Sequence, residues 1–322
     1  MWGMEQGYRI MMAMKLDEKA KGVFVITVTP FKDDGSLDDA STDRVIDFYL
    51  EKGATGLTVL GVMGEAPKLT AAESQHYVKR VLARVKGRIP TIVGVSAPGF
   101  AAIGELSKSV MDMGAAGVMA GPATTVKTDD QAYAYYEMVA ETLGPDIPFC
   151  VQDHPLAYGG VQLPVPVMKK IFANLPTAVM LKHEDWPGPG LNKLAAIRSG
   201  LTRRISILSG NGGGLFLPEE MSRGADGAMT GFGYPEMMVD VVKAHTAGNV
   251  ERAHDLFDAY LPLARYEQQT ALGLAVRKYM LMKRGAIATM AIRKPGPKLS
   301  PADVADIDRL IARQEKRLKE LG

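Results

Sequence analysis

Cysteine is nearly absent from this chain. The single thiol, Cys150, can close no internal disulfide and cannot by itself build a multi-cysteine metal site. Set between Phe149 and Val151, it reads as core packing in a strand. An excess of charge is missing too: 38 Lys and Arg face 36 Asp and Glu spread along the sequence, a net charge of +2. That balance indicates neither nucleic acid nor an anionic membrane as a partner. No apolar run approaches the roughly 20 residues of a membrane span, and no secretory signal is recognisable, so a cytoplasmic location is expected. The spacing of His, Cys and carboxylates matches no metal-ligand pattern; no metal and no cofactor is expected.

What the 322 residues do contain is 47% hydrophobic and 23% charged side chains, enough to bury a large core without covalent staples. Short apolar, β-branched runs followed by turn residues begin near Val23, Leu57, Thr91, Val118, Phe149, Ala178, Ile205 and Ala228, with helical periodicity between them. Strands alternating with helices imply parallel βαβ units. Eight such units fit a closed α/β fold, the (β/α)8 TIM barrel, better than an open sheet. The expected organisation is a poorly ordered extension over 1–20, with several methionines as alternative starts, a barrel over 21–245 and a helical C-terminal domain over 246–322. In that last part Ala253, Leu256, Phe257, Tyr260 and Leu261 hold helical spacing, Pro262 reads as a break, and Ser300 followed by Pro301 reads as the start of a final helix reaching Leu321.

Lys182 is the residue on which the chemistry turns. It ends the apolar run Ala178 to Leu181 and would close strand six, so a barrel delivers its amine to the C-terminal mouth, where barrel chemistry lies. An amine there can attack a carbonyl and form a Schiff base. A lysine at a strand end ordinarily reaches solvent; the surrounding pattern is what distinguishes this one.

Several stretches occur in a telling order: GVFVITVTPF (22–31), GLTVLGVMGEAPKLTAAE (56–73), IPTIVGVSA (89–97), LKHE (181–184) and GADGAMTGFGYPEMM (224–238). Together they resemble the dihydrodipicolinate synthase and N-acetylneuraminate lyase family, from about Gly22 onward. The resemblance implies a class I Schiff-base lyase on a (β/α)8 barrel with a C-terminal helical domain, a homotetramer, with Lys182 as the family lysine. The segments VQDHP (151–155), LKHE (181–184), GAMTGFGYP (227–235) and YLPLARYEQQ (260–269) look more like a branch that dehydrates deoxy-sugar 2-oxo acids than like the synthase.

Departures from the family pattern are equally informative. The carboxylate clamp after strand two, Gly-Thr-Thr-Gly-Glu in the family, is here Gly61-Val62-Met63-Gly64-Glu65. Both hydroxyls are lost, but a tight turn of backbone amides can still hold a carboxylate. Pro122-Ala123-Thr124 replaces Pro-Tyr-Tyr, which puts Thr124 where the family has an acid-base phenol; a threonine hydroxyl is a poor proton relay unaided. Pro155-Leu156-Ala157 replaces Pro-Gly-Arg and removes the cation that a dicarboxylate product would need.

Candidate replacements are the polar residues at strand ends. Gln152, Asp153 and His154 follow strand five; Gln152 is a candidate substrate contact, and Asp153 and His154 are candidate acid-base groups, with Tyr158 a further one. Glu184, two residues past the lysine, shares its side of the strand if the extended period continues, and is a candidate base for a C3 proton. After strand seven, the glycines of 210–214 would let substrate approach the backbone, with Asn211 as a hydroxyl contact. The expected partner is a small 2-oxo acid. Dehydration, retro-aldol cleavage and condensation stay open, as does a barrel that binds a 2-oxo acid without turning it over.

Overall fold

The computed structural model describes residues 14–322. Eight parallel strands close into a barrel in chain order: β1 (Gly22–Ile26), β2 (Gly56–Val59), β3 (Thr91–Gly94), β4 (Gly117–Ala120), β5 (Phe149–Asp153), β6 (Ala178–His183), β7 (Ser206–Ser209) and β8 (Gly227–Ala228). The helices that follow them are α1 (Asp39–Glu51), α2 (Ala71–Val85), α3 (Phe100–Asp112), α4 (Asp129–Leu143), α5 (Val165–Asn174), α6 (Gly190–Gly200), α7 (Leu217–Ser222) and α8 (Pro235–Thr246). Three more, α9 (Val250–Glu267), α10 (Gly273–Lys283) and α11 (Pro301–Leu321), form the C-terminal helical region. The TIM barrel expected from the alternating pattern is therefore the fold.

Strand alternation divides the core into two layers. Val23, Val25, Leu57, Val59, Val118, Val151, Leu181 and Ile207 pack outward against the helices. Phe24, Ile26, Ile92, Met119, Cys150, Met180 and Leu208 fill the barrel interior. Cys150 is thus core packing, and burial pushes its thiol up to about 12, so it stays protonated. Leu16 plugs the same interior, its N–H donating to Ala116 O at 2.8 Å. The part of the supposedly loose extension that is described, from residue 14 on, is accordingly anchored at Leu16, while its first 13 residues lie outside the described region.

One irregularity decides where the chemistry points. Between β5 and β6 the register runs Phe149 to Ala178 and then Cys150 to Met180, so Val179 is an extra residue on β6. Ala178 faces outward, and strict alternation would send Met180 and Lys182 outward with it. The bulge instead puts Val179 and Met180 both inside, returns Leu181 to the outer layer, and turns Lys182 inward beside Gln152 and Leu208.

Pro262 does not break its helix. It lies within α9, and the helix continues through it because Pro262 is exposed: the carbonyl of Asp258, denied its N–H partner, is on the solvent side. The last helix begins as its sequence suggests, with Ser300 and Asp303 forming a reciprocal capping box around Pro301. Among the described residues no helix is long and apolar enough to cross a membrane.

Candidate active site

Lys182 is 6% exposed at the C-terminal end of the barrel. Its Nζ lies 2.9 Å from Glu184 Oε2, and the same carboxylate oxygen lies 3.2 Å from His154 Nδ1. The ladder continues one residue past β6, since Glu184 N–H donates to Asp153 O at 2.8 Å, and this keeps Glu184 on the side of Lys182. Burial is the main force on His154 and holds its imidazole below the usual range despite the pull of Glu184, so it is neutral at pH 7 and can accept a proton. Gly210 belongs to this group for a steric reason. A Cβ there would stand 2.9 Å from Lys182 Cγ and from Glu184 Cβ, so the glycine makes room for the lysine itself.

On the neighbouring strand, Gln152 is buried and accepts a hydrogen bond from Tyr158 Oη at 2.8 Å through Oε1, leaving its Nε2 without a partner in the protein. Tyr158 Oη also lies 3.3 Å from Ser96 Oγ. Its ring fills the space over Gly121, where a Cβ would come within 2.0 Å of Cζ, so a phenol from the turn after β5 occupies the corner at the end of β4. Burial pushes that phenol up to about 12, making it a proton donor at neutral pH. Thr124, expected in the place of the family phenol, is exposed and packs on Gly159 instead. The phenol in this corner comes from Tyr158.

Asp153 takes a different direction from the one expected of an acid-base group. As the outward neighbour of Gln152 it points between barrel and helices, where Oδ2 meets His183 Nδ1 at 3.1 Å and Lys193 Nζ, from α6, at 2.7 Å. Burial would raise this carboxyl, but the His183 hydrogen bond and the Lys193 charge outweigh it and hold Asp153 below the usual range. Asp153 in turn raises His183 against the opposing effect of burial. Next to this cluster, α7 supplies Glu220, fully buried, which accepts from Ser209 Oγ and, at 3.0 Å, from Asn211 Nδ2. The Asp153 ion pairs with His183 and Lys193 and the Glu220 hydrogen bonds sit under the strand ends and fix β5, β6 and β7 to α6 and α7. His183, Lys193 and Glu220 were not legible as a group, because only the fold brings them together.

The turn after β2 divides into two roles. Val62 to Gly64 form a single 3-10 turn in which the N–H of Gly64 already donates to Gly61 O at 3.0 Å. The amides left at its start are those of Val62 and Met63. Met63 packs toward the barrel interior, whereas Val62 is exposed. Glu65, expected to contact substrate, is engaged elsewhere: Oε1 accepts from Lys278 Nζ at 2.7 Å, and Oε2 from Lys68 Nζ at 3.0 Å and the Arg293 N–H at 3.1 Å. Lys278 is fully buried and also donates to Thr29 O and Ala291 O. Glu65 is therefore the bolt that fastens the C-terminal helices to the barrel mouth.

The dihydrodipicolinate synthetase family model matches residues 19–313. Among its relatives, a protein named L-2-keto-3-deoxyarabonate dehydratase, of Azospirillum brasilense, is 30% identical over 291 residues, covering 89% of this chain and 92% of the relative. The 4-hydroxy-tetrahydrodipicolinate synthase of Kosmotoga olearia is 27% identical over 248 residues, covering 76% and 82%. A crystal structure described as dihydrodipicolinate synthase from Rhodopseudomonas palustris superimposes with a TM-score of 0.89 at 50% identity, over 93% of this chain and 99% of that one. With a family match spanning nearly all of a closed barrel, the chain belongs to the dihydrodipicolinate synthetase family and is a lyase of that family.

Proposed function

We propose that this protein is a Schiff-base-forming lyase that dehydrates a deoxy-sugar 2-oxo acid. The observation that carries the reading is the triad of buried Lys182 with half-buried Glu184 and His154, one carboxylate oxygen lying within 3.2 Å of both nitrogens. The substrate carboxylate rests on the amides of Val62 and Met63, and Gln152 Nε2 offers a further donor to it or to the developing carbinolamine oxygen. Glu184 takes a proton from Lys182, whose amine adds to the C2 ketone; Glu184 then returns that proton to the carbinolamine hydroxyl, which leaves as water, so that a protonated imine forms and Glu184 is again a carboxylate. Glu184 or His154 then removes a C3 proton, the C4 hydroxyl departs as water with a proton from Tyr158, and hydrolysis of the imine returns the amine and product. The similarity to the Azospirillum dehydratase supports this choice of reaction.

A condensing or retro-aldol activity is the second reading, favoured by the 50% identity to the protein described as a dihydrodipicolinate synthase. Against it stands Ala157, which takes the place of the family arginine and offers no cation to a dicarboxylate. Homotetrameric assembly belongs to the same proposal and rests on the family. A screen of 2-oxo acids that combines borohydride trapping with product identification by mass tests the reading. Loss of 18 mass units from a deoxy-sugar 2-oxo acid supports it; release of pyruvate identifies an aldolase, and trapping without any product a binder.

A further inference from the structure

The last helix, α11, packs on α9. Its inner face carries Ile307, Ile311, Gln314, Leu318 and Leu321, spaced alternately four and three residues apart, the repeat of an apolar helix seam. Gln314 is the polar member of that seam and is only 2% exposed. Both ends of its amide, Oε1 and Nε2, are buried without a hydrogen-bond partner among the described residues. A polar residue can fix the register of a seam, but only when the facing helix answers it, and α9 does not. A leucine in its place would continue the apolar face and remove the cost of two unanswered polar atoms.

What Gln314 lines instead is a cavity of about 120 Å³ between the two helices. Ala259 and Pro262 of α9 leave the space, since neither side chain is long enough to fill it. A cavity of roughly 150 Å³ accepts benzene, so an occupant here has about six non-hydrogen atoms. Arg313 and Arg317, both exposed, make the rim cationic. Arg317 is paired with Glu320, whereas Arg313 makes no ion pair among the described residues. Asp258 is the acid in the lining, and its backbone carbonyl is the one that Pro262 deprives of an N–H.

We propose that this cavity is a binding site for a small carboxylate whose neighbouring carbon bears a hydrogen-bond donor, a 2-hydroxy or 2-amino acid of about six non-hydrogen atoms. The carboxylate accepts from Gln314 Nε2 and from the Arg313 guanidinium, and the adjacent hydroxyl or ammonium donates to Gln314 Oε1. A carboxylate alone answers only half of the amide, and an uncharged alcohol leaves Arg313 unused. The site stands on the C-terminal helices and does not depend on the reaction at Lys182.

Calorimetric titration of the full chain with lactate, alanine and acetate tests the site, in the parent, in Gln314→Leu and in Arg313→Ala. The expected result is a saturable event with lactate or alanine, the stronger of the two identifying the donor as hydroxyl or ammonium, and binding at least about tenfold weaker with acetate. That event should vanish in Gln314→Leu, which should also unfold at higher urea than the parent. It should weaken about tenfold in Arg313→Ala, a change at an exposed position that carries the comparison if the buried variant fails to fold. A carboxylate held at the barrel mouth would bind all three proteins alike, so only the event lost in these variants counts for the cavity. The site is overturned by no saturable event up to about 10 mM, by acetate binding as tightly as the other two, or by binding of lactate and alanine that both variants leave unchanged.

Discussion

Glu184 Oε2 lies 2.9 Å from Lys182 Nζ because an extra residue in β6 turns the lysine inward and the ladder then carries the next alternate residue to the same side. Nucleophile and base are thus supplied by one strand end. Replacing Glu184 with Gln keeps the shape and removes the proton acceptor. Turnover should fall about 100-fold to 10,000-fold, while borohydride trapping of the substrate still reaches completion. A variant that turns over normally would reassign the base.

Tyr158, not Thr124, is the expected proton donor to the leaving hydroxyl. Tyr158→Phe should lower turnover at least about 100-fold, and Thr124→Val should stay within a few-fold of the parent. Steady-state kinetics on the same 2-oxo acid compares them directly, and the reverse order would restore the threonine to the mechanism.

These two corners differ in how far the sequence could reveal them. Lys182 and Glu184 are legible from strand position and period two, although the inward direction of both depends on the bulge at Val179, which no local pattern announces. Tyr158 reaches the end of β4 only because Gly121 leaves space on a different strand. Asp153 was legible as a polar residue out of place, but its purpose lay in Lys193 on α6 and in His183, partners separated from it by 40 and 30 positions. Glu65 was hidden in the same way, its buried cation coming from α10. The barrel itself was readable because its signal is periodic and local, whereas these ion pairs are single long-range contacts.

The outward cluster should matter for stability more than for chemistry. Asp153→Asn removes the carboxylate from His183 and leaves Lys193 with Asp185 at 3.2 Å as its remaining partner, so the loss should fall below the roughly 3–5 kcal/mol of a buried charge left unpaired. Urea denaturation should show that loss, and pyruvate trapping by the protein that remains folded should persist. Full stability with abolished trapping would instead place Asp153 in the reaction.

Glu220 sets a pH dependence of known sign. Burial pushes its carboxyl from the ordinary 4.5 up to about 7, opposed by Ser209, His183 and Asn211 and reinforced by Glu184. The folded protein therefore holds this proton more tightly than the unfolded chain. The group's stabilising contribution is fully present below about pH 4.5 and is lost as pH rises through about 7, by about 3 kcal/mol in all. Glu220→Gln, which cannot ionise, should show a shallower fall in stability across that window than the parent when both are unfolded with urea at several pH values. Parallel profiles would contradict the assignment.

The central claim is the covalent role of Lys182. The decisive measurement is intact and peptide mass after borohydride reduction in the presence of a 2-oxo acid, for the parent and for Lys182→Ala. The expected result is one stable adduct per chain, mapped to the peptide carrying Lys182, and neither adduct nor turnover in the variant. An adduct on another lysine, or turnover that survives Lys182→Ala, would contradict the account.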